Sequence, residues 1–106
     1  MRRGDLVTIA VSGDYGKPRP ALVVQADAFD EHPSVVILPL TSELHVTPLF
    51  RITANASKQT GLRKPSQIMI DKATTVARSK LGPRMGRVDA ATMHAVDRAL
   101  RGFLGL

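Results

Sequence analysis

"KPRPALVVQ", residues 17–25, sets one arginine between two prolines at the mouth of an apolar run. Proline fixes its own φ and drives the residue before it into extended geometry. Pro18 and Pro20 therefore hold the backbone of Arg19 extended. The residues that follow, Ala21-Leu22-Val23-Val24, form a short continuous apolar run, the signature of a buried strand. Two readings of the prolines fit. They start a strand and blunt its edge, or their rigidity aims a single cation.

Working outward, the apolar runs stay short and punctuated. "DLVTIAV" (5–11) alternates Leu6/Thr8/Ala10 with Val7/Ile9/Val11 and is rich in β-branched residues. "GDYGKP" (13–18) is a loop with two glycines. Downstream, "ADAFDEHPS" (26–34) reads as a loop with room for one helical turn. "VVILPLT" (35–41) is a third strand, which Pro39 should kink or confine to an edge. "PLFRIT" (48–53) alternates again, and "ANASKQTGLRKPS" (54–66) reads as a polar, mobile connection. "QIMID" (67–71) is a short strand, and "TTVARSKLG" (74–82) has room for another.

Only the tail reads as a helix. Asp89 is a good N-cap, and Met93, Val96, Leu100, Phe103 and Leu104 recur on one face, with Gly102 and Gly105 weakening the end. No strand is followed by a helix long enough for a parallel crossover, which argues against a βαβ architecture. The expectation is a mainly-β (α+β) protein: five or six short strands in a small, strongly bent antiparallel barrel with a C-terminal helix. At 106 residues, the prior is one domain spanning 1–106.

Composition narrows the function classes. With no cysteine, disulfides and thiolate metal sites are ruled out. No stretch is apolar enough to span a bilayer and no signal-peptide pattern follows Met1, so a cytoplasmic protein is expected, away from membranes. Aromatics make up 4%, with one tyrosine and no tryptophan, so base-stacking platforms are largely lacking. The net charge of +6 points to a polyanionic partner, either nucleic acid or an acidic protein segment. Strands as apolar as "ALVVQ" and "VVILPL" exceed what one short helix covers, which predicts a homodimer.

Taken together, "RRGDLVTIAV", "KPRPALVVQ", "VVILPLTS" and "GLRKPSQIMIDKATTVARSKLG", in that order, resemble the PemK/MazF toxin family of type II toxin–antitoxin systems over nearly the whole chain. The most specific pieces are "RPALVVQ", "LPLTS" and "SQIMIDKATTV". The resemblance implies an SH3-like barrel related to the gyrase poison CcdB and a homodimer. It also implies metal-free, sequence-specific cleavage of single-stranded RNA without any cofactor, and inhibition by a cognate antitoxin. Two other classes remain as alternatives: a CcdB-like poison of DNA gyrase that cleaves nothing, and a cleavage-dead RNA-binding module.

Metal-free RNA cleavage needs a base for the 2′-OH, an acid for the departing 5′-oxygen and donors for the charged phosphorane. The chain has no Ser-His-Asp pattern and no phosphate-cradling glycine loop opening a helix. Arg19 is the first candidate, since a guanidinium fork matches phosphate geometry and stays charged. The resemblance gives it the central catalytic role, as stabiliser of the phosphorane or as proton donor. It likewise makes Thr41 catalytic and Ser42 its neighbour in RNA contact, where the plain alternative is two hydroxyls capping a strand end. Asp71 stands where some relatives place a base paired with an arginine two residues earlier. Here that position is Met69, so Asp71 is divided between base, partner of Lys72 and turn cap. Asp14, Tyr15 and Lys17 lie in the loop that the resemblance sets beside the RNA groove. His45, four residues beyond Thr41, is within reach of a bound phosphate. Arg63, Lys64 and Arg78 are candidate phosphate contacts, with a solvated charged face as the ordinary alternative.

Overall fold

The computed structural model describes residues 1–10, 17–47 and 49–106. Asp14 and Tyr15 lie outside the described residues, as do Val11 and Pro48. Among these residues seven strands precede one helix: β1 (Asp5–Ala10), β2 (Pro18–Val23), β3 (Ser34–Thr41), β4 (Arg51–Ala54), β5 (Ser66–Met69), β6 (Thr74–Ala77), β7 (Leu81–Arg87) and α1 (Ala90–Leu104). The sheet order is β4-β5-β3-β2-β1-β7, with β6 added beside β3, and every pairing is antiparallel.

The prolines explain how this sheet opens. Val24 N–H donates to Val36 C=O at 3.2 Å. The polar groups of an antiparallel strand alternate between its two flanks, so Leu22 and Leu38 also face one another across β2 and β3. Pro18 and Pro20 share the parity of Leu22, so the donors they lack belong to the β3 flank. The β2–β3 ladder accordingly ends at Ala21↔Pro39. On the other flank β2 stays zipped to β1 through Ile9↔Arg19 and Ala10↔Pro18. Strand β2 is thus held on one side and released on the other, and Arg19 rides on the held side of that opening.

Pro39 is placed by the same logic, against the expectation of a kink or an edge. Strand β3 runs unbroken inside the sheet. The missing donor of Pro39 faces away from β2, where pairing with β6 ends at Ile37↔Thr74 and pairing with β5 begins at Leu40↔Ile68. The proline falls in the gap between two partners, where it costs no ladder bond.

Two apolar clusters lie on the two faces. Leu6, Leu22, Leu38, Leu40, Ile68 and Ile70 pack with Met93 and Val96 of α1. Val7, Ile9, Ala21, Val23, Val35 and Ile37 form the second cluster, joined by Val76 of β6 and Leu81 of β7. The outer strands β6 and β7 are linked by the 3-10 turn Arg78–Lys80, so the sheet curls over its own second face. That corrects the ground given for a partner subunit: the face left by the helix is covered by the sheet itself.

Strand β7 is where the sequence reading fell short: among the described residues seven strands stand where five or six were expected. "LGPRMGR" carries two glycines and a proline, residues disfavoured inside strands. Its backbone passes against residues 59–61 instead. A Cβ on Gly86 would lie 2.2 Å from Gln59 O, and one on Gly61, whose φ is +72°, would lie 2.3 Å from Met85 O. Glycine is required by that close approach. The connection 54–66 is correspondingly anchored, not mobile. Leu62 is in the core, and the buried Thr60 hydroxyl donates to Asn55 O at 2.8 Å and accepts from Ser57 and Leu62 N–H.

Helix α1 starts as expected. The Asp89 carboxylate accepts from Thr92 N–H at 2.7 Å, the Thr92 side chain and then this amide hold its pKa below the ordinary value, and Gly105 closes the helix at φ +74°. Only Met93 and Val96 of its apolar face are buried, while Phe103 and Leu104 remain exposed.

At the far edge Asp5 fastens β1 to β7. Its buried carboxylate accepts from Arg87 Nη1 at 2.8 Å, Arg84 Nε at 3.1 Å and Arg2 N–H at 2.8 Å. Burial pushes this carboxyl up, but the Arg2 amide and the two guanidiniums outweigh it and hold the pKa below the ordinary value.

Candidate nucleic-acid interface

The opening between β2 and β3 continues into a groove of about 740 Å³. One wall is Arg19 and Pro20; the other is the end of β3 with Thr41, Ser42 and Glu43. Arg63 and Lys64 come from the anchored connection, and Lys72 from the turn after β5. Pro39, Leu40, Met69 and Met85 supply apolar surface between them. Four cations therefore face one carboxylate, Glu43, among the described residues lining the groove.

Of the residues expected from sequence, the fold brings Arg19, Thr41, Ser42, Arg63 and Lys64 into this one groove. Thr41 ends β3 half-buried, and its Oγ1 accepts from Glu43 N–H at 3.1 Å. That bond fixes the hydroxyl and leaves its own O–H to donate elsewhere. His45 lies just beyond. Its N–H and C=O are both held by the buried Gln67 amide, at 2.9 and 2.7 Å, and its Nε2 stands 3.7 Å from Glu43 Oε1. Lys17 is exposed one residue before β2 and is not part of the groove wall.

Two expectations need correction. Arg78 lies away from the groove, where Nε donates to His32 O at 2.8 Å and Nη2 to Phe29 O at 3.2 Å. Its fork closes the 27–33 loop. Asp71 is also outside the groove lining; its Oδ1 is ion-paired with Arg51 Nε at 3.4 Å. Arg51 stands directly opposite Met69 in the β4–β5 ladder. The arginine absent two residues before Asp71 is thus supplied from across the sheet. Sequence reasoning missed Glu43, Lys72 and Arg51; the alternation in "PLFRIT" was the one available signal, for Arg51.

A second hollow, of about 470 Å³, lies between α1 and the 49–52 segment. It is lined by Leu49, Phe50, Ile52, Ala99 and Phe103 with Arg98 at its rim, and the rings of Phe50 and Phe103 are 6.4 Å apart.

A small antiparallel β protein with a cationic groove at the released end of a central strand is a recognisable class. Residues 2–104 match the family described as PemK-like, MazF-like toxin of type II toxin-antitoxin system, and the chain belongs to that family. It is 49% identical over 107 residues to a probable endoribonuclease MazF of Mycolicibacterium smegmatis, covering 100% of this chain and 98% of that protein. It is 25% identical over 111 residues to endoribonuclease EndoA of Bacillus subtilis, covering 100% and 96%. Among solved structures, a mycobacterial endoribonuclease in complex with its cognate antitoxin superimposes with a TM-score of 0.82 at 25% identity, over 100% of this chain and 96% of that one.

Proposed function

We propose that this chain, acting as one domain over residues 1–106, is the toxin of a type II toxin–antitoxin pair and cleaves single-stranded RNA in the cytoplasm. The observation that carries the reading is the convergence of Arg19, Thr41, Ser42, Arg63 and Lys64 on one groove. Family membership and the endoribonuclease names of its relatives support it over a gyrase poison or a cleavage-dead binder.

The chemistry follows from the side chains present. Arg63, Lys64 and Ser42 hold the RNA backbone, and the salt dependence of binding reports their phosphate contacts. Arg19 sets a two-pronged positive charge against the non-bridging oxygens of the scissile phosphate, and the Thr41 O–H donates to the same oxygens. The adjacent 2′-OH attacks phosphorus and loses its proton, the P–O5′ bond breaks, and O5′ takes up a proton. The products are a 2′,3′-cyclic phosphate and a 5′-hydroxyl. The acceptor of the first proton is not assigned to Asp71, which is engaged with Arg51 outside the groove.

A second copy packs against the exposed Leu49, Phe103 and Leu104, giving a homodimer, and an acidic antitoxin segment covers the cationic groove. The deciding experiment incubates purified protein with a long single-stranded RNA in EDTA. Cyclic-phosphate and 5′-hydroxyl ends are expected. Intact RNA, or cleavage of an RNA whose ribose 5′ of the cut is deoxy, overturns the reading.

A further inference from the structure

A carboxylate in a phosphate-binding groove repels the ligand's backbone, so its presence calls for a donor. Glu43 is that carboxylate, and the segment carrying it is built rather than loose. Its N–H is bonded to Thr41 Oγ1 at 3.1 Å, the next residue but one is clamped at both backbone polar groups by the buried Gln67, and the His45 ring flanks its carboxylate at 3.7 Å. Beside it, Leu40, Pro39, Met69 and Met85 offer an apolar surface for the plane of a base, in a groove whose described lining contains no aromatic ring.

We propose that Glu43 is a specificity-determining residue that reads a guanine next to the scissile phosphate. This rests on the ribonuclease reading above and names the base it selects. Single-stranded RNA exposes its Watson–Crick edges to side chains. A carboxylate is an acceptor only, with two parallel oxygens. Guanine alone presents two adjacent donors on that edge, N1–H and the N2 amino group. Adenine and cytosine set a ring-nitrogen lone pair beside their amino group, and uracil flanks its single N–H with two carbonyl oxygens. Each of those three meets the carboxylate with like polarity. Glu43 thus attracts one base and repels three, while the surrounding cations hold the phosphates of any sequence.

The test compares oligoribonucleotides that differ only by guanine or inosine at each position around a cut site found in a random-sequence RNA library. Inosine keeps N1–H and lacks the N2 amino group. Binding and cleavage are both measured, for the wild type and for Glu43→Gln and Glu43→Ala. The wild type should show a guanine preference at one position and lose roughly tenfold or more with inosine there, the scale of one bidentate base contact. Both variants should be nearly indifferent to that exchange while still cutting RNA. Glu43 is largely exposed, so neither variant should disturb folding. RNA cut with no guanine preference, or variants that retain the full inosine penalty, overturns the role of Glu43 alone. A wild type that neither binds nor cuts any RNA overturns the ribonuclease reading with it.

Discussion

Two sets of arginines in this chain sit in different places. One set is tied into the fold: Arg84 and Arg87 donate to Asp5, Arg3 to Val24 O and Asp97, and Arg78 to loop carbonyls, while Arg51 on β4 is ion-paired with Asp71. Arg19 and Arg63 line the groove. The net charge of +6 counts both kinds alike. A guanidinium already directed at carboxylates and carbonyls has fewer donors left, and less freedom to turn, for gripping a phosphate. Basic composition therefore overstates the nucleic-acid footprint, and position decides which cations belong to it.

The sharpest way to break this contrast is Arg19→Ala. Removing one preorganised charge stabiliser should lower the cleavage rate by roughly 10²–10³-fold. Thermal unfolding should stay close to wild type, because Arg19 is an exposed residue of β2. Arg19→Lys should not restore the rate, since an ammonium has no planar fork. Single-turnover kinetics on a defined RNA, paired with melting curves, checks both halves. A large loss of stability would move Arg19 into the structural group.

What was legible in the sequence divides along the same line. Local rules revealed the strands through alternation, the helix through the Asp89 cap and its apolar stripe, and the rigid Pro18–Arg19–Pro20 segment. Arg19 and Thr41 were singled out because they sit in stretches whose order resembles a known family, and both line the groove. What stayed hidden depends on contacts between distant segments. Strand β7 looks broken because Gly86 answers a constraint imposed by residues 59–61, 25 or more positions away. The Arg51–Asp71 pair joins β4 to the turn after β5, and Arg78 is committed to carbonyls of residues 29 and 32. Register creates these pairings, and a linear reading has no access to register.

The structural arginines can be tested through their common acceptor. Asp5→Asn removes the charge that holds Arg84 and Arg87, and should cost about 2–3 kcal/mol of stability at neutral pH, at the lower edge of a broken buried pair because both guanidiniums are partly exposed. The pH dependence has a definite sign. The native carboxyl titrates below its unfolded value, so its contribution is present above about pH 4 and is lost as the pH falls through the lower folded pKa. Urea denaturation from pH 7 to pH 2 should show wild type and variant converging in acid. A constant difference across that range would contradict the role given to the charge.

A smaller effect is expected at Thr41, where one hydroxyl serves both regions. Thr41→Ala removes a donor to the phosphate and the acceptor of Glu43 N–H. The rate should fall about tenfold, the scale of one net hydrogen bond. Thr41→Ser keeps the hydroxyl and should recover most of that loss. If Thr41→Ser were as slow as Thr41→Ala, the methyl group and not the hydroxyl would be the useful part.

The smallest effect is the most discriminating, because it concerns a residue that sequence alone assigned to RNA. Arg78 closes the 27–33 loop through two carbonyls, both bonds lying at the surface. Arg78→Ala should therefore lower stability by about 1 kcal/mol. It should leave RNA affinity almost unchanged at any one salt concentration. A phosphate contact behaves differently: its removal flattens the plot of log affinity against log salt by nearly one unit of slope. Lys64→Ala, within the groove, should show that flattening and little change in stability. Measuring both variants over a range of salt, by fluorescence anisotropy on a short single-stranded RNA, sets the two kinds of cation side by side. If Arg78→Ala reduced the slope as much as Lys64→Ala does, the RNA path would have to extend beyond the groove and across the 27–33 loop. The division between structural and binding arginines would then fail at the residue where the fold draws it most plainly.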